Sequence, residues 1–128
     1  MDDRAYDAVI PTLFREVPET RDAYDAWDMP GDPLPYLVFG FLEESLITPA
    51  VDSGDDRDLL QGIFGFLERR ALSRNEEVVN LLWVDLFEAW AATPRTFSKA
   101  VEYMRPATKT LAFQAAQRLT GRNLASME

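Results

Sequence analysis

A six-residue phrase is written twice in this chain and echoed a third time, and that repetition limits what the chain can fold into. Val38-Phe39-Gly40-Phe41-Leu42-Glu43 returns 25 residues later as Ile63-Phe64-Gly65-Phe66-Leu67-Glu68. A looser copy, Trp83-Val84-Asp85-Leu86-Phe87-Glu88, follows after another 20 residues. Each copy lies in an apolar stretch of helical length, so the pattern predicts similar helices stacked on one another. The spacings fit single helices and not the pair-of-helix units of about 34–47 residues found in common solenoids. A scaffold of this kind presents a surface more readily than a reaction centre.

Apolar spacing and stop signals predict about seven helices and no strand: 3–16, 19–27, 35–47, 56–72, 76–92, 94–104 and a last one from Pro106 to Gly121. Pro18 ends the first, Pro35 suits the first turn of the third, and Thr48-Pro49 is expected to close it. Residues 52–56 read as a loop whose aspartates cap the fourth helix, and Ser73 or Asn75 caps the fifth. No linker separates these elements, which predicts one domain over residues 1–128, an all-α, irregular, repeat-like bundle. The third helix is apolar nearly all round through Leu37, Val38, Phe39, Phe41, Leu42 and Leu46, so it is expected at the centre. The fifth should bury Val79, Trp83, Leu86, Phe87 and Trp90, with Asn80 on the same arc. Gly40 and Gly65 each cost about 1 kcal/mol in a helix interior, which suggests close approach of neighbouring backbones.

The chain has no histidine and no cysteine. Triads, imidazole shuttles, thiolate zinc sites and disulfides are thereby excluded, and the reading is of a protein that is not an enzyme and needs no cofactor. The acidic start and the lack of a long apolar run predict a cytoplasmic protein with no membrane span.

The net charge of −9 is unevenly placed. Residues 1–58 hold 15 acids and 4 bases, a balance of −11, and residues 59–128 hold 7 acids and 9 bases, a balance of +2. An acidic front half repels nucleic acid and anionic lipid and attracts basic partners. Two acidic series are candidate contact surfaces. The first is Asp22, Asp25, Asp28 and Asp32 around Trp27, with Tyr24 and Met29 nearby, a composition suited to an interface hot spot unless the aromatics point inward. The second is Asp52, Asp55, Asp56 and Asp58, which fails the spacing of a calcium loop and reads as helix capping or an acidic contact. Arg95, Lys99, Arg105 and Lys109 are expected to pair internally with the acidic half.

Glu43, Glu68 and Glu88 share one position of the repeated phrase. A carboxylate among apolar residues is either paired or has a raised pKa. Two readings stand: pairing with Arg69, Arg70, Arg74 or a helix N-terminus, or an acid/base or divalent-metal site, which in helical bundles usually adds a histidine that is lacking here.

The stretch Val78-Val79-Asn80-Leu81-Leu82-Trp83-Val84-Asp85-Leu86-Phe87-Glu88, with Tyr103-Met104-Arg105-Pro106 before a final helix, resembles a family of small bacterial all-helical proteins. The resemblance covers residues 35–120, and Asp85 and Trp90 depart from the family's pattern. Such proteins are similar to the immunity proteins of bacterial toxin systems. The resemblance implies a stoichiometric binder that neutralises one cognate toxin by occluding its active site, with no catalytic residues to carry over. Acidity would suit a toxin with a basic surface. The alternative from the repeats alone is a small helical adaptor for a peptide or protein partner.

Overall fold

The computed structural model describes residues 7–28, 31 and 34–120. Among them are seven helices and no strand, an all-α bundle. The helices are α1 (Val9–Glu16), α2 (Pro18–Ala26), α3 (35–53), α4 (Arg57–Ala71), α5 (76–91), α6 (Pro94–Val101) and α7 (Pro106–Thr120). The parts of the first expected helix before residue 7, the turn residues Met29 and Asp32, and the stop at Gly121 lie outside the described residues. No helix among the described residues is long and apolar enough to cross a membrane.

Pro18, Pro35, Pro94 and Pro106 each open a helix, where a missing N–H costs nothing. Asp56 caps α4 by accepting from the Leu59 amide at 3.1 Å. Of the two capping candidates for α5, Asn75 is used: its Oδ1 accepts from Glu77 and Val78. α6 is shorter than its sequence suggests and ends at Val101.

Two helices depart from the predicted pattern for one reason. α3 does not stop at Thr48-Pro49. It runs as Pro35–Leu42, a π turn at Glu43–Ile47, and Thr48–Ser53, ending at Gly54 in the left-handed conformation (φ 68°). A proline inside an α-helix lacks the donor for the previous turn and collides with its carbonyl, and a widened turn ahead of it relieves both. Asp52 and Ser53 are therefore helical, and the connection to α4 is only residues 54–56. α5 has a matching π turn at Trp83–Phe87 between Glu76–Leu82 and Glu88–Ala91.

Each π turn inserts one residue, so the buried ladder takes a step of five, from Leu42 to Ile47 and from Leu82 to Phe87. This explains two corrections. Ile47, not Leu46, is fully buried in α3, and before its π turn α5 buries Val78, Leu81 and Leu82 in place of Val79 and Trp83. Asn80, expected on the buried arc, is exposed.

The centre of the bundle is shared by α3, which touches α1, α2, α4, α5 and α6, and α4. α4 buries Leu59, Leu60, Ile63, Phe64, Phe66 and Leu67 and touches α1, α3, α5 and α7. Phe64 stacks at 5.9 Å on Trp90 and at 5.6 Å on Tyr103, and Phe39 and Phe66 join the first two copies of the phrase at 6.5 Å. α3 buries Val38, Phe39 and Leu42 but leaves Tyr36 and Leu37 half-exposed.

The glycines of the phrase also serve differently from expectation. A Cβ on Gly40 would meet the Asp85 carboxylate at 3.9 Å, and one on Gly65 would meet the guanidinium groups of Arg105 and Arg69 at 3.6 Å. Neither glycine seats a backbone; each leaves room for an ionisable side chain. Because 3.6 Å is ordinary contact with flexible side-chain ends, Gly65→Ala is expected to raise unfolding stability by about 0.5–1 kcal/mol in urea titrations. A loss of stability would show that the guanidinium groups of Arg69 and Arg105 cannot give way to the added methyl.

Candidate functional site

The three phrase glutamates are bonded, though not to the arginines. Glu68 reaches from α4 to the start of α7, where it accepts from the amides of Ala107 (3.0 Å) and Thr108 (2.9 Å) and from the Thr108 hydroxyl (2.8 Å). Burial works against its charge, but these hydrogen bonds and the nearby Arg105 outweigh it and hold the carboxyl below its ordinary value. Glu88 accepts from the Trp83 indole at 3.2 Å. Glu43 accepts from the Thr48 hydroxyl at 2.6 Å, and Thr48 in turn accepts from the Trp90 indole at 2.8 Å. Desolvation nonetheless raises the Glu43 carboxyl, with Glu44 adding to the effect.

Asp85 is the anomaly. It sits in the π turn of α5, beside Gly40 of α3, and its Oδ2 is buried without a hydrogen-bond partner. Burial, reinforced by the charge of Glu43, pushes its carboxyl up to about 7. Sequence reasoning noted Asp85 only as a departure from a family pattern. An acid set between Val84 and Leu86 in an apolar helix was the signal available.

Three of the exposed apolar side chains lie on the same two helices as this pair. Tyr36 and Leu37 are 48% and 49% exposed on the first turn of α3, and Val84 is 41% exposed on α5. Tyr36 and Val84 line a groove of about 240 Å³ with Glu77, Asn80 and Leu81. On the other flank of α5, Ser73, Arg74, Glu76, Val79, Asn80, Trp83 and Arg118 line a cleft of about 550 Å³. The outward face of α5 thus separates an acidic groove from a cleft with two arginines.

The aspartates singled out in the sequence are distributed among different tasks. Asp22 and Asp28 are exposed, the latter with φ 55°, and Asp25 is exposed and paired with Arg21 at 3.1 Å. Trp27 is half-buried and stacks on Phe41 at 4.2 Å, with Tyr24 edge-on to it. Asp32 lies outside the described residues. Asp52 clasps α3 to α6: its carboxylate accepts from the Thr96 hydroxyl and its carbonyl from Lys99, both at 2.8 Å. Asp56 is the cap of α4; all four aspartates of that series are exposed, and the carboxylates of Asp55 and Asp58 are the two not engaged in a clasp or a cap. Of the C-terminal bases, Lys99 does reach the acidic half, but through a carbonyl. The ion pairs among the described residues are Arg21–Asp25 and Arg69–Glu16.

No group of three or more potential metal-ligating side chains occurs among the described residues. Compared with known proteins, the chain matches no family model, no curated protein and no solved structure.

Proposed function

We propose that the chain is an immunity-type protein that binds one cognate bacterial toxin or effector in the cytoplasm and neutralises it by covering its active site. One observation carries this reading: half-exposed Tyr36 and Val84 line one groove with the Glu77 carboxylate and no basic side chain, and exposed Leu37 follows Tyr36 on α3. Apolar anchors inside an acidic rim have the composition of a surface for a basic protein partner. The exposed Asp22, Asp25, Asp28, Asp55 and Asp58 extend the negative field and speed the encounter. The chemistry of the chain, without imidazole or thiol, is in keeping with occlusion rather than catalysis. The second reading, a helical adaptor, draws on the groove of about 240 Å³ along α5.

Affinity capture from the native host with mass spectrometry separates the two. The immunity reading expects one tight partner encoded beside this gene and lethal when expressed alone; several weak partners would favour the adaptor. For the captured partner, reversing Asp22 and Asp25, or Asp55 and Asp58, is expected to slow association about tenfold or more at low salt, with the effect shrinking as salt rises. Asp56 is left out of this set because its loss would uncap α4. Association rates unchanged in both double variants would remove the electrostatic part of the proposal.

A further inference from the structure

The α3–α5 groove can be assigned a more specific occupant. Its lining residues are Tyr36, Glu77, Asn80, Leu81 and Val84, with no basic side chain among them. Tyr36, Gly40 and Glu43 follow one another at successive turns of α3, so the groove leads from Glu77 at one end toward Glu43 and Asp85 at the other. Acid therefore stands at both ends of a short apolar stretch. At the Asp85 end the partly buried carboxylates of Glu43 and Asp85 stand close enough to repel each other, and a cation brought to the pair would offset that repulsion. The cleft on the far side of α5, with Arg74 and Arg118, would repel the same cation and so fix the direction of approach.

Resting on the reading of the chain as a binder of a basic protein, we propose that this groove receives a partner segment bearing an apolar side chain flanked, one helical turn on either side, by arginine or lysine. The apolar group rests between Tyr36 and Val84, with Leu37 closing over it. One cation meets Glu77 and the other meets the Glu43–Asp85 pair. Arginine suits the second position better, because its fork can donate to two carboxylates at once.

The test uses the full chain and a short amphipathic helical peptide with arginine, leucine and arginine at successive turns, titrated by calorimetry and followed by amide chemical shifts. Two control peptides replace the arginines with glutamate or the leucine with serine. Saturable binding is expected for the first peptide, with shifts centred on residues 36–44 and 77–85. It should weaken about tenfold or more in either control and in the surface variants Leu37→Ser and Glu77→Lys, whose folding is checked by thermal melting. Equal binding of all three peptides, shifts elsewhere, or full affinity in both variants would overturn the assignment. So would sedimentation showing a dimer that Leu37→Ser dissolves, since a second copy would then be the occupant. The broader function fails separately. If the variants still capture and neutralise the cognate toxin at full strength, the groove assignment falls and the toxin reading stands; if the peptide binds as described but the captured partner is no toxin, the reverse holds.

Discussion

Replacing Glu68 with alanine is expected to destabilise the protein by about 2–3 kcal/mol, measured as a shift in the urea midpoint without a change in slope. The side chain serves α7 as a cap supplied from another helix. α7 begins at Pro106, and its first free amides, on Ala107 and Thr108, point at the Glu68 carboxylate. Removing that carboxylate leaves two amides and the hydroxyl of fully buried Thr108 without their acceptor. Hydrogen bonds to a charged acceptor are worth about 1.5–3 kcal/mol, and the three here share one group, so the upper part of that range is the expected cost. Glu68→Gln keeps the shape and loses the charge; it should cost about 1 kcal/mol. A cost below about 0.5 kcal/mol for the alanine variant would show that α7 is held by its apolar contacts alone.

The second large effect depends on pH. Folding raises the Asp85 carboxyl from its ordinary 3.8 to about 7, so the folded chain binds this proton more tightly than the unfolded chain does. Stability is then greatest with Asp85 protonated and declines as pH rises from about 4 to about 7, with no further loss above. Glu43, also raised, acts in the same direction. At 1.36 kcal/mol per unit the full linkage would approach ~4 kcal/mol. Asp85 is only partly withdrawn from water, so about 2 kcal/mol is the expected size. Asp85→Asn should therefore be about 2 kcal/mol more stable than the parent at pH 8 and nearly equal to it at pH 4. Parallel pH profiles for the two proteins would disprove the linkage. Glu68 contributes the opposite limb: its lowered carboxyl adds stability that is lost as pH falls through the acid range.

A buried carboxylate oxygen without a partner sets Asp85 apart from Glu43, Glu68 and Glu88, each of which accepts a hydrogen bond. Such a residue was hard to recognise from the sequence alone. The helix count, the proline starts, the Asp56 and Asn75 caps and most of the core follow from local rules, because each depends on neighbours within one turn. The site does not. Its geometry depends on two π turns, and a π turn rotates everything beyond it by one residue's worth of arc, about 100°. A uniform helical arc drawn through Leu86, Phe87 and Trp90 therefore carries Asn80 to the buried side, although it lies before the turn and is exposed. Pro49 was the legible clue: a proline deep in an apolar run can end a helix, or the turn before it can widen. Charge alone could not show that the Asp52 and Asp56 carboxylates are engaged in clasping and capping while those of Asp55 and Asp58 are not.

The wide turn in α3 also acts as slack in the chain. Were one residue removed between positions 43 and 47, the step of five from Leu42 to Ile47 would close to the ordinary step of four, and the buried ladder would continue on the same face. Asp52 would keep its place against Thr96 and Lys99. A residue removed between the wide turn and Asp52 meets no such slack: it would turn Asp52 by about 100° and open the latch between α3 and α6, so tolerance to changes in chain length should differ sharply on the two sides of position 47.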